Sequence, residues 1–142
     1  MIHLVTGGSG SGKSAYAEQC ILDFGGTRRV YIATMQPFGA EGQARIARHR
    51  KMRAAKKFST IECYTNLKEV ELEPGSDVLL ECMSNLTANE IFDPSGAGKA
   101  RTEEEILAGV SRLAHQARNL VLVTNEIFSD GYRYEEETME YQ

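Results

Sequence analysis

Apolar residues in this chain come in short bursts separated by longer mixed segments. Five bursts read as strands: Ile2–Thr6, Val30–Thr34, Thr60–Cys63, Val78–Cys82 and Leu120–Thr124. VLLEC and LVLVT are continuous instead of alternating, which is the pattern of strands covered on both faces. Helical patterns fill the intervals over Lys13–Phe24, Ala40–Lys57, Ser84–Phe92 and Glu103–Arg118, with a weaker helical turn at Thr65–Val70. The last long segment is the most clearly amphipathic. Ile106, Leu107, Val110, Leu113 and Ala114 recur at helical spacing, and Thr102 stands where an N-cap is expected. Alternation of strand and helix predicts an α/β fold, a mostly parallel sheet flanked by helices. FDPSGAGK, residues 92–99, reads as a loose loop. No repeat, low-complexity stretch or linker divides the chain, so residues 1–142 are expected to form a single domain.

Composition adds limits. A chain of 142 residues can bury a substantial core, and 42% hydrophobic with 25% charged residues is ordinary for a globular protein. The net charge of -4 gives no overall basic surface for nucleic acid or an anionic membrane. Charge is uneven, however: residues 45–57 hold seven Lys/Arg and no Asp/Glu, whereas residues 130–142 hold five Asp/Glu against Arg133. Cys20, Cys63 and Cys82 form no CxxC pair, which argues against a zinc site or disulfide framework and for a reducing compartment. The opening MIHLVTGG has no basic region or long apolar run of a signal peptide, and no window approaches a membrane span. A cytoplasmic location is expected.

GGSGSGKS, residues 7–14, fits G-x4-GK[ST], between an apolar strand and a helix. Gly7, Gly8, Ser9, Gly10, Ser11 and Gly12 would turn backbone N–H groups toward phosphates, aided by the positive end of the helix dipole. Lys13 would reach the β- and γ-phosphates, and Ser14 would ligate Mg²⁺. Such loops are paired with a carboxylate at a neighbouring strand end that holds the metal's shell. VLLE places Glu81 there, and an acidic strand end facing solvent is the plain alternative. Asn125 and Glu126 end LVLVTNE at the same carboxyl edge, where open α/β sheets bind ligands.

The run RIARHRKMR places His49 among cations. On a helix, Arg45, His49 and Arg53 are four residues apart and share a face. Nearby cations disfavour imidazolium and so favour the neutral, nucleophilic form, and they would stabilise charge on an attacked phosphate. A solvated basic face fits the same spacing. His3 and His115 have no metal-ligand spacing to another His or Cys and read as structural.

Several stretches together resemble one family. LVTGGSGSGKSAYAE, VYIATMQPF, ARIARHRKMR, FSTIE, VLLECMSNLTAN and NLVLVTNE match, in order and spacing, the bifunctional adenosylcobinamide kinase / adenosylcobinamide-phosphate guanylyltransferase family of cobalamin biosynthesis. The blocks IAT-x-x-x-F, RI-x-x-H-x-x-x-R and TNE make the resemblance specific. It implies a P-loop, RecA-like fold and two reactions. In the first, ATP or GTP gives its γ-phosphate to the aminopropanol hydroxyl of adenosylcobinamide. In the second, GMP from GTP is transferred to that phosphate through a phosphoramidate on a histidine, which maps to His49. The resemblance makes Lys13 and His49 catalytic. It also places Thr34, Arg45, Arg53, Glu62 and Glu81 around nucleotide, with Ser14 and Glu81 toward Mg²⁺. The implied partners are the corrinoid substrate, with no nucleic acid, and further copies of the chain as a homo-oligomer, a trimer in the family.

The match has departures. Before the RI block the chain reads GAEGQARI and keeps only Glu41 of the family's acidic residues; after TNE it reads IFSDG in place of a glycine-rich turn. The sequence ends at EEETMEYQ, and is expected to lack the family's final helix and strand. Two other readings follow: a P-loop small-molecule kinase with no covalent step, or a shortened nucleotide-binding protein without turnover.

Overall fold

The structure, a computed structural model, describes residues 2–7, 12–36 and 39–125. The chain runs β1 (Ile2–Gly7), α1 (Lys13–Asp23), β2 (Arg28–Ala33), α2 (Gly39–Ala55), β3 (Phe58–Glu62), a 3-10 turn (Leu67–Glu69), β4 (Ser76–Glu81), α3 (Met83–Phe92), α4 (Thr102–Gln116) and β5 (Asn119–Asn125). All five strands are parallel, in the order β1-β5-β4-β2-β3. The expected α/β architecture of a mostly parallel sheet flanked by helices is therefore present.

Side-chain alternation divides the core into two. Tyr31, Leu79, Val121 and Val123 point to the face covered by Ala17 and Ile21 of α1. Ile32, Val78, Leu80, Leu120 and Leu122 point to the other face, against Leu67, Leu86 of α3, and Ile106 and Leu113 of α4. Each central strand is thus buried on both sides, which is why the β4 and β5 sequences are continuously apolar. Helix α2 shares the α1 side, where Lys56, just past its end, pairs with Glu18 of α1 at 2.7 Å.

Element ends differ from the pattern in consistent ways. β2 and β4 begin two residues before their apolar runs, because Arg28–Ser76 and Arg29–Asp77 still pair in the ladder. Apolar periodicity marks the buried middle of a strand, whereas backbone pairing continues through polar ends. α2 stops at Ala55 rather than Lys57: Lys56 and Lys57 bond back to Arg53 and Ala54, and Lys57 turns into the left-handed region at φ 66. Thr102 is not the N-cap of α4. Arg101 takes that position without a side-chain cap, and the Thr102 hydroxyl donates to the Gly98 carbonyl at 2.7 Å. Glu103, Glu104 and Glu105 in the first turn complement the helix dipole instead. Leu107, expected in the apolar stripe, is exposed. It lies one residue past Ile106, and the buried positions of α4 are Thr102, Ile106, Gly109 and Leu113.

Among the described residues no helix is long and apolar enough to cross a membrane. Cys20, Cys63 and Cys82 are free thiols. His3 packs its ring on Phe24, with centroids 5.4 Å apart, and His115 holds the Ser111 carbonyl at 2.8 Å, both in keeping with structural roles.

Candidate active site

The strands' carboxyl ends and the starts of α1 and α3 enclose a cleft of about 340 Å³, walled on one side by α2. Ser14, Tyr31, Arg53, Glu62, Glu81 and Asn85 all reach it. Its position follows from the parallel sheet, in which every strand delivers its last residue to the same edge.

Gly12 opens α1 with φ 81, a conformation that glycine adopts without steric cost. Among the described residues no side chain caps this helix start, and no acidic residue occupies its first turn, so its N–H groups retain capacity for an anion. Lys13 is half-buried at that point. Ser14, one residue further, donates its hydroxyl to Oε2 of Glu81 at the end of β4. The phosphate-loop serine and the strand-end carboxylate are therefore in direct contact, although β5 lies between their parent strands β1 and β4. Glu81 is not simply a solvated strand end.

The other oxygen of Glu81, Oε1, accepts from the Tyr31 hydroxyl at 2.9 Å. Burial, then the negative charge of Glu81, holds the Tyr31 phenol far above its usual range; Arg53 pulls the other way and is outweighed. Tyr31 is thus a permanent donor. The guanidinium of Arg53 stacks on the Tyr31 ring at 3.6 Å from its centroid. Arg53 is only 6% exposed and its Nε has no hydrogen-bond partner among the described residues. A buried cation held by a ring face, with an N–H left over at a cleft, is suited to an anionic oxygen.

The segments after β2 and β4 are fixed by hydrogen bonds. The Thr34 hydroxyl donates to the Cys82 carbonyl and accepts from the Cys82 N–H, both at 2.8 Å, and the Thr34 carbonyl accepts from Asn89 at 2.7 Å. Thr34, expected among nucleotide-binding residues, is fully buried and its hydroxyl is committed to Cys82. Its place is behind the site, tying the end of β2 to the end of β4. Burial raises the Cys82 thiol, and its sulfur accepts from the Asn85 N–H at the start of α3. Glu62, at the end of β3, forms an ion pair with Arg50 of α2 at the cleft's rim.

Structure and sequence thus bring together Ser14, Arg53, Glu62 and Glu81. Arg45 and His49 belong to the backbone of α2, two turns and one turn before Arg53, and their side chains lie outside the described residues. So do Gly8, Ser9, Gly10, Ser11 and Glu126; Gly7 and Asn125 are described as a backbone pair between β1 and β5. Tyr31 was not among the candidates. It sits in the apolar run VYIA, and its signal is a hydroxyl-bearing residue at a position that a sheet would otherwise fill with hydrocarbon.

Among the described residues no group of three or more His, Cys, Asp or Glu could hold a metal. The Ser14–Glu81 pair is of another kind, two hard oxygen donors beside a phosphate-binding helix start. That donor set fits Mg²⁺, which takes few protein ligands and completes its shell with water and phosphate.

The family model for cobinamide kinase / cobinamide phosphate guanyltransferase matches residues 3–142. The bifunctional adenosylcobalamin biosynthesis protein CobU of Escherichia coli (strain K12) is 35% identical over 140 aligned positions, covering 89% of this chain and 76% of that protein. The protein of the same name from Salmonella typhimurium (strain LT2) matches with the same identity and coverage. With Ser14 against Glu81 at a phosphate-loop helix, and with a match over nearly its whole length, the chain belongs to the cobinamide kinase / cobinamide phosphate guanyltransferase family.

Proposed function

We propose that this chain phosphorylates adenosylcobinamide and then guanylylates the product, using ATP or GTP in the first reaction and GTP in the second. Family membership supports the pair of reactions. The observation that carries the reading within the structure is the contact of Ser14 with Glu81 at the uncapped start of α1.

In the kinase reaction the substrate hydroxyl attacks the γ-phosphorus. A new O–P bond forms, the bond from Pγ to the bridging oxygen breaks, the hydroxyl proton passes to solvent and the nucleoside diphosphate departs. Residues 7–12 cradle the phosphates with backbone N–H groups, and Lys13 neutralises charge on the β- and γ-oxygens. Ser14 and Glu81 hold the metal side. Mg²⁺, when bound, neutralises charge on the phosphate oxygens.

In the transferase reaction the neutral imidazole of His49 attacks the α-phosphorus of GTP. An N–P bond forms and pyrophosphate leaves. A phosphate oxygen of adenosylcobinamide-phosphate then attacks the same phosphorus, forming an O–P bond, breaking the N–P bond and restoring the histidine. Arg45 and Arg53 stabilise the transferring phosphate, and their charge helps keep His49 unprotonated. Arg53 is supported in this role by its burial and its free N–H. Glu62 is the candidate acceptor for guanine N–H groups once Arg50 yields. The resemblance supports a homotrimer and a cytoplasmic location.

Product analysis tests the assignment. With adenosylcobinamide, GTP and Mg²⁺, the expected products are first adenosylcobinamide-phosphate and then adenosylcobinamide-GDP. Phosphate alone would identify a kinase without the transferase, and nucleotide binding with neither product would identify a binding protein.

A further inference from the structure

Four side chains from four elements form a continuous line across the cleft. Ser14 of α1 donates to Glu81 of β4, Tyr31 of β2 donates to the other oxygen of Glu81, and Arg53 of α2 lies on the ring of Tyr31. We propose that Tyr31 is a positioning residue, fixing the Glu81 carboxylate for the metal and linking α2 to the phosphate cradle. This rests on the reading of Ser14 and Glu81 as the metal side of the site.

The chemistry of each link supports it. A glutamate has one more side-chain torsion than an aspartate, so a glutamate in this role needs a second anchor to hold its carboxylate in one orientation. Two donors, one on each oxygen, supply that anchor and still leave lone pairs for the metal's water shell. Tyr31 is 7% exposed within an otherwise apolar layer, where phenylalanine would fill almost the same space. A buried hydroxyl is unfavourable unless bonded, and its partner here is Glu81. Arg53 gives Tyr31 its second connection. The planar stack sets how closely α2 approaches β2, and His49 stands one turn earlier on the same helix. An arrangement that fixes the metal-side carboxylate thereby also places the helix that carries the transferase residues.

The test is equilibrium binding of a fluorescent GTP analogue as Mg²⁺ is titrated, which needs no turnover. Tyr31→Phe keeps the ring and the Arg53 contact while removing the donor. The expected result is a half-saturating Mg²⁺ concentration raised about tenfold, the size of effect seen when partners of metal ligands are removed. Binding in the presence of a chelator is expected to stay as in the parent protein. Glu81→Gln should also raise the Mg²⁺ requirement, and Tyr31→Phe should add nothing in that background, since both changes act through one group. If Glu81→Gln shifts the requirement and Tyr31→Phe does not, or if the two effects simply add, the positioning role is overturned while the site assignment survives. If Glu81→Gln itself has no effect, the metal-side assignment fails and this inference with it. Arg53→Lys, which keeps the charge but not the planar stack, gives an independent arm. A smaller rise in the Mg²⁺ requirement is expected; an unchanged Mg²⁺ requirement, with or without a loss of GTP affinity, would overturn the link to α2.

Discussion

Strand β4 carries a carboxylate near each end, and their surroundings differ. Asp77, at the amino end, is fully buried; its Oδ1 accepts from Arg118 at 3.2 Å and from Asn119 at 3.0 Å. Arg118 also donates to the Phe24 carbonyl, and its N–H bonds Ser76. That end is closed, with Arg118, Asn119 and Gly26 around the carboxylate. Glu81, at the carboxyl end, is held by two hydroxyls at the wall of a cleft. Both carboxylates are oriented, but one faces protein and the other faces space that a ligand can enter. Polar residues at the ends of parallel strands therefore divide into those that close the fold and those that are left for chemistry.

The largest expected effect comes from Glu81→Gln. The amide keeps the shape but loses the charge, and γ-phosphate transfer should fall about 100-fold with little change in melting temperature. A steady-state assay beside a thermal melt checks both halves. An equal loss of stability would erase the contrast with Asp77. Asp77→Ala should do the reverse, costing about 2 kcal/mol of stability through the lost charge-assisted bonds, with the Mg²⁺ requirement unchanged. Chemical denaturation measures the first and the Mg²⁺ titration the second. The smallest effect is expected from Gly26→Ala. Its Cβ would collide with Oδ2 of Asp77, so the carboxylate must shift. A loss of about 1 kcal/mol is expected, and none beyond that of Asp77→Ala when the two are combined.

Much of this was legible beforehand, for reasons tied to particular residues. The β4 and β5 runs announce buried central strands because two cores, one per face, require hydrocarbon at every position. Gly12, Lys13 and Ser14 announce a phosphate loop because that backbone demands those residue types. Strand order was not legible, since no local pattern says that β5 inserts between β1 and β4. Tyr31 carries a sign, a hydroxyl inside an apolar run, but no local pattern says that its partner is Glu81, 50 residues away. Thr34 shows the opposite limit. A polar residue at a strand end suggests a ligand, but its hydroxyl is fully used in tying β2 to β4.

In the proposed transferase reaction α2 carries the nucleophile that takes GMP from GTP. The direct measurement is incubation of the protein with Mg²⁺ and α-labelled GTP, followed by assay of protein-bound label that is lost in acid and kept in alkali. Such label is expected in the parent protein and none in His49→Ala. Folded protein that binds GTP and takes up no label, or label that persists in His49→Ala, would contradict the proposed reaction.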